Sequence, residues 1–255
     1  MSFVTLSLRL PCLKIVEFAY SIRESARAKH VSIKISLQGE VEIVVPRGFD
    51  QRRVPEILQR RQDWIAKTTE RIASERQATP AEPTGVLPDK IEMRSPPLTW
   101  TVEYLPSDTS KLSLKTYKAS HHIMLRGSTH HLEACRQALK HWLTRQSYFH
   151  LVPWLKQTSK DINLPYNRAS VRGQKTRWAS CSSQKSISLN HKLLFLPPDL
   201  VRYVLIHELC HTVHLNHSAK FWALVEQKEP NYRALDAELN KAWRYVPAWV
   251  EQSFD

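Results

Sequence analysis

HELCHTVHLNH, residues 207–217, holds four histidines and one glutamate in eleven positions, and whether they grip a metal decides the fold around them. At about 100° per residue, His207 and His211 stand about 40° apart on one helical face and a turn from each other, so both imidazoles reach one ion. Glu208 lies next to the first ligand, where its carboxylate can deprotonate a water held by the metal instead of ligating. Leu200, Val201, Val204, Leu205, Ile206, Leu209, Cys210 and Val213 cover nearly every side of the same helix. A helix apolar all round is buried, which argues against a chance HExxH on a surface helix. Burying a carboxylate and two imidazoles without partners costs on the order of several kcal/mol, and one zinc ion with its water supplies those partners.

A third protein ligand is needed, and three candidates compete. His214 returns to within about 20° of the His207 face but sits about 10.5 Å further along a straight helix. That is too far for one ion with bonds of about 2.0–2.1 Å. His217 reaches the metal only if the chain turns back after His211. This is the HExxHxxGxxH arrangement, in which Gly makes the turn. Here His214 occupies the Gly place, and Asn216 is the residue suited to the left-handed conformation that ends a helix. A downstream carboxylate, Glu226, Glu229 or Glu238, is the alternative, as in zinc sites with two His and one Glu. His217 ranks first, the carboxylates second and His214 last.

Upstream, prolines 197 and 198 with Asp199 signal the start of this helix. Short strands precede it around SVRGQKTRWASCS (170–182) and SISLN (186–190). Arg177 there can contact a negative group on a substrate, whereas Trp178 reads as core. Cys210, on the apolar helix, reads as a small buried side chain rather than a thiolate ligand. Residues 129–162 carry a long helical period through Leu132, Cys135, Leu139, Trp142 and Leu143, which Pro153 should kink or split.

Nearer the N-terminus, VSIKISLQGEVEIVVP (31–46) alternates about Gln38-Gly39-Glu40, which is a hairpin signal. RRVPEILQRRQDWIAKTTERIA (52–73) switches to a helical period, with Val54, Ile57, Leu58, Trp64, Ile65 and Ile72 on one stripe. Prolines recur between 74 and 97, predicting a loop. Strand alternation returns in 98–105, 111–117 and 121–127. No internal repeat is visible. The pairs His121–His122 and His130–His131 read as surface residues, since neighbours in a strand point to opposite faces.

The chain has 255 residues, 42% of them hydrophobic, enough for a substantial core. Lys and Arg outnumber Asp and Glu by 37 to 24, a formal +13, which favours phosphate-bearing or acidic partners and leaves nucleic acid open as one of them. The four cysteines are scattered without a CxxC pair, arguing against a disulfide framework. Arg9 and Lys14 interrupt the opening residues, no leader pattern follows, and no stretch approaches the roughly 20 apolar residues of a membrane span. The expected setting is the cytoplasm.

RWASCS (177–182), SLN (188–190), the prolines at 197 and 198, YVLIHELCH (203–211), NHSAKFW (216–222) and the Pro230–Tyr232 stretch agree in order with one pattern. The set resembles the YgjP-like metallopeptidases, a zincin group related to the SprT-like and WLM families. The likeness covers about residues 165–245, and the opening hairpin with its PEILQRRQDWI helix is also similar. The family commonly writes RWGSCS, so Ala179 departs from it, though a small residue remains. The resemblance implies His207, His211 and His217 as zinc ligands and Glu208 as general base; Arg177 and Asn190, from the strand region before the metal helix, are the candidate substrate-binding residues. The fold expected is α+β. A β-rich N-terminal half with a hairpin and helix, residues 1–128, is joined to a zincin-like metallohydrolase half, residues 129–255, carrying HExxH on a buried helix.

The favoured function is a zinc metallopeptidase acting on polypeptides through a water activated by Glu208. A second reading keeps the zinc and makes the electrophile a phosphoanhydride, such as a nucleotide, with Arg172, Lys175 and Arg177 near the motif. A third is a nucleic-acid-associated protein, by analogy with SprT-like proteases acting near DNA, although no aromatic-rich single-strand motif or zinc knuckle is visible.

Overall fold

The computed structural model describes residues 3–9, 15–26, 28–35, 41–77, 86–109 and 111–251, with side chains from residue 20 onward except in 71–77. The chain divides into two compact units, Met1–Ala81 and Glu82–Asp255.

The first unit holds strands β1 (Phe3–Arg9), β2 (Ile15–Ser25), β3 (Ser32–Ile35) and β4 (Val41–Pro46), then helices α1 (Val54–Arg60) and α2 (Gln62–Gln77). The sheet order is β1-β2-β4-β3. β3 and β4 pair antiparallel with Ile33 opposite Ile43, as the alternation predicts; the turn residues 36–40 lie outside the described residues. The single helix expected over 52–73 is broken at Arg61. Val54, Leu58 and Ile65 go inward, against Tyr20, Val41, Ile43 and Val45. Trp64, about 100° round from Ile65, falls off that narrow stripe and is exposed.

The second unit opens with β5 (Lys90–Arg94), β6 (Pro97–Pro106), β7 (Ser113–Tyr117) and β8 (His122–Gly127), in the order β5-β6-β8-β7. β5 lies within the stretch expected to be a loop. Its short alternation buries Ile91 and Met93 and exposes Lys90, Glu92 and Arg94. Pro97 is tolerated because it is the first residue of its strand. Both four-stranded sheets have an antiparallel pair, a parallel central pair and a second antiparallel pair, in the same order. The repetition lies in topology, which constrains strand pairing and turns rather than side-chain identity, so the sequence shows no repeat.

Helix α3 (Leu132–Asp161) passes through Pro153 without splitting. The donor that proline lacks would have served Phe149, on the exposed face, where water can replace it. There follow β9 (Arg168–Arg172), β10 (Ala179–Cys181) and β11 (Ser186–Asn190), a small sheet in the order β10-β11-β9 with β10 at its edge. The remaining helices are α4 (Pro198–Cys210), α5 (Ala219–Lys228), α6 (Tyr232–Leu239) and α7 (Ala248–Glu251), with 3-10 turns at His191–Phe195 and Ala242–Tyr245.

One core unites this unit. Trp100, Val102, Ile123 and Leu125 of the second sheet are buried with Trp142 of α3 and Val201, Leu205 and Leu209 of α4. That shared core lies within the second compact unit, Glu82–Asp255. Each such buried aliphatic or aromatic side chain contributes about 1.5–3 kcal/mol, so α4 is anchored in the core along most of its surface, with Asp199 and Arg202 left exposed. No helix among the described residues is long and apolar enough to cross a membrane.

Candidate metal centre

α4 ends at Cys210, and His211 is its C-cap in a right-handed conformation. The chain then turns back through three short bonds: Thr212 N–H to Leu209, and the Val213 and His214 N–H groups both to Cys210. Thr212 Oγ1 also donates to the Leu209 carbonyl, at 2.7 Å. Neither His214 nor Asn216 takes a positive φ, so the reversal is built from tight turns rather than the expected left-handed residue. Ser218 caps α5 by accepting from the Phe221 N–H. His217, the residue before that cap, is thereby brought back over α4.

One ring nitrogen from each of His207, His211 and His217 lies within 4.8 Å of the others. His207 Nε2 and His217 Nε2 are 3.1 Å apart. Two nitrogens on a tetrahedral zinc with bonds of about 2.0–2.1 Å stand about 3.3 Å apart, so this spacing fits shared ligation. His211 Nδ1 lies 2.9 Å from the His214 carbonyl. A carbonyl only accepts, so Nδ1 carries the proton and Nε2 keeps the lone pair that a metal needs. His214 thus serves through its backbone. Burial, then the neighbouring His211 and His217, push His207 down to about 3, and burial also lowers His211. Both are neutral imidazoles at pH 7, the ligating form.

The competing carboxylates are engaged elsewhere: Glu226 with Arg233, Glu229 with Arg202 and Glu238 with Arg244. His130 and His131 are exposed, while His121 and His122 are half-buried, with His122 Nε2 3.1 Å from Glu103. None of these four joins the cluster.

Glu208 is 7% exposed, and its Oε2 is buried without a hydrogen-bond partner among the described residues. Burial pushes its carboxyl up to about 8, opposed by the Arg177 charge and by a hydrogen bond from the Cys181 backbone N–H. Edge strand β10 therefore reaches the acid through its main chain. The Cys181 and Cys210 thiols, raised by burial to about 11 and about 12, are protonated at neutral pH.

Arg177 is exposed and sits in the loop before β10 rather than in a strand. Trp178 follows it, half-buried and stacked on Trp243. Asn190, expected beside a substrate, is fully buried. Its side chain is spent on backbone: it donates to the Gln174 and Arg177 carbonyls and accepts from the Lys192 N–H.

Sequence reasoning missed the floor of the site. Phe221 is fully buried, with its ring 4.4 Å from His211, 4.9 Å from His217 and 5.0 Å from His207, centroid to centroid. Trp222 stacks on His217 at 5.6 Å and on Tyr232 at 5.4 Å. Ser218, three residues before Phe221, was the available signal, because a capping serine fixes where α5 begins.

Two imidazoles a helical turn apart and a third brought back from the turn before α5 form a cluster that could hold a metal ion, with the buried Glu208 next to His207 along α4. The family described as YgjP-like, metallopeptidase domain, matches residues 29–242. The chain belongs to that family. Among solved structures it is similar to the metallopeptidase zymogen abylysin of Pyrococcus abyssi, at 25% identity over 38% of this chain and 99% of that one, with a TM-score of 0.33. The zymogen jannalysin of Methanocaldococcus jannaschii matches at 18% identity over 36% of this chain and 94% of that one, with a TM-score of 0.32. None of the curated proteins matches.

Proposed function

We propose that the chain is a zinc-dependent peptidase in which His207, His211 and His217 hold one ion and Glu208 is the general base. The observation that carries this reading is the buried Glu208 Oε2, unpartnered among the described residues, next along α4 to a histidine of the three-imidazole cluster. An acid left so costly to bury is explained by a reacting group that it serves. Zinc, when bound, supplies a Lewis acid that polarises the substrate carbonyl and acidifies the attacking water.

Glu208 takes the proton from that water and gives it to the leaving amine. Burial raises this carboxyl in the metal-free site, and a carboxyl lifted above its usual range is better able to hold the proton between the two transfers. Arg177 and the Cys181 N–H favour the ionised form, the one that abstracts the proton. Membership of a metallopeptidase family supports a polypeptide substrate.

Glu208→Gln should keep zinc at the parental ratio and lose about 10²–10⁴-fold in turnover of an unfolded polypeptide. Cleavage by the variant at the parental rate would remove Glu208 from the mechanism. Chelator-sensitive hydrolysis of nucleoside triphosphates, with no peptide cleavage, would reassign the electrophile.

A further inference from the structure

The segment from Gln174 to Trp178 is neither helix nor strand, yet it carries Arg177, and the pins that hold it come from beneath. Asn190 Nδ2 donates to the Gln174 carbonyl at 2.8 Å and to the Arg177 carbonyl at 2.7 Å. Lys192 Nζ donates to the same Gln174 carbonyl at 2.9 Å. Lys192 is 4% exposed, and its ammonium is ion-paired with Glu251 of α7. The same ammonium stands 4.9 Å from the centroid of the Trp243 ring. Trp243 in turn stacks on Trp178, the residue after Arg177, with centroids 4.0 Å apart and planes 23° from parallel. One buried cation thus joins a loop carbonyl, a C-terminal carboxylate and an indole that clamps the loop's far end.

A buried ammonium is costly unless paired and fully hydrogen-bonded, so its presence here calls for a role beyond packing. Two of its partners, the Gln174 carbonyl and the Trp243 ring, lead to the loop. We infer that Lys192 and Asn190 are positioning residues for the candidate active site. Together with Glu251 and Trp243 of the C-terminal segment, they hold the 174–178 loop so that Arg177 stays beside Glu208. The C-terminal helix α7 then belongs to the working parts of the site, although it contributes none of the imidazoles in the cluster. This inference rests on the peptidase reading for its catalytic consequence, but not for the pinning itself.

Two variants test it in the zinc-loaded full chain. Lys192→Met combined with Glu251→Leu removes both members of the ion pair, so no lone buried charge remains to prevent folding. Asn190→Asp keeps the acceptor that caps Lys192 N–H and loses the two bonds to the loop. In each, trypsin should cut after Lys175 and Arg177 at least about tenfold faster than in the parent, while far-UV circular dichroism is retained. Each should also lower kcat/KM by about tenfold in the chain with Arg177 and by less than about twofold in an Arg177→Ala background, the coupling expected of groups acting through one another.

Unchanged protection of the loop in both variants would overturn the pinning. Equal losses of kcat/KM with and without Arg177 would overturn the positioning role, since a merely structural effect is independent of Arg177. A parent without peptide turnover would sink the peptidase reading alone, and the protection of the loop would still decide the pinning.

Discussion

Glu208 should weaken the metal-free fold, and Glu208→Gln should relieve that weakness. A carboxyl whose folded pKa is raised binds its proton more tightly in the folded state than in the unfolded one. Well below 4.5 both states are protonated and the group has no effect on stability. Between 4.5 and about 8 the unfolded chain ionises while burial keeps the folded one neutral, so stability falls as pH rises. Above about 8 the full penalty is present. The displacement from 4.5 to about 8 corresponds to about 5 kcal/mol, at about 1.4 kcal/mol per pH unit. At pH 7 about 3 kcal/mol of it already acts.

Urea unfolding of chelator-treated protein at pH 5 and pH 8.5 reads this directly. The Gln variant should match the parent within about 1 kcal/mol at pH 5 and exceed it by several kcal/mol at pH 8.5. A domain stable by about 5–15 kcal/mol would show this as a large rise in midpoint. Equal midpoints at pH 8.5, or a less stable variant there, would refute the claim that Glu208 is an ionisable group buried for chemistry at the expense of stability.

Phe221→Ala should cost about 3–5 kcal/mol, because it empties the floor under three imidazoles; a urea midpoint equal to the parent's would contradict that packing. Arg177→Ala should lower kcat/KM and move the acid limb of its pH profile upward, since Arg177 holds Glu208 down; a limb that stays in place or moves downward would exclude the interaction. Cys181 and Cys210, with thiols raised to about 11 and about 12, should resist alkylation at pH 7.5 in the folded chain, and peptide mass spectrometry showing either modified at the rate of the unfolded protein would contradict this.

The site was legible where it depended on helical spacing. The closeness of His207 and His211 follows from the period of α4, and the return of His217 to them from the demand for a third ligand within reach. The turn that delivers His217 was legible only as a necessity, because short bonds to Leu209 and Cys210 leave no glycine or asparagine signature. Asn190 was placed at the substrate and is found beneath the loop. Its partners Gln174 and Arg177 are 16 and 13 residues away, and only the register that sets Ala179 opposite Leu189 brings them together. Strand β5 was hidden because its alternation spans few residues beside several prolines. The shared topology of the two four-stranded sheets resides in pairing, which residue identities do not record.

The central claim is that three histidines hold one metal ion, and metal content measured beside turnover tests it most directly. Protein purified without chelator and analysed by plasma mass spectrometry should carry close to one zinc per chain and cleave an unfolded polypeptide, with both properties lost in His217→Ala while the fold is retained. A parental chain without stoichiometric metal, or a His217→Ala variant that keeps both its zinc and its activity, would contradict the account.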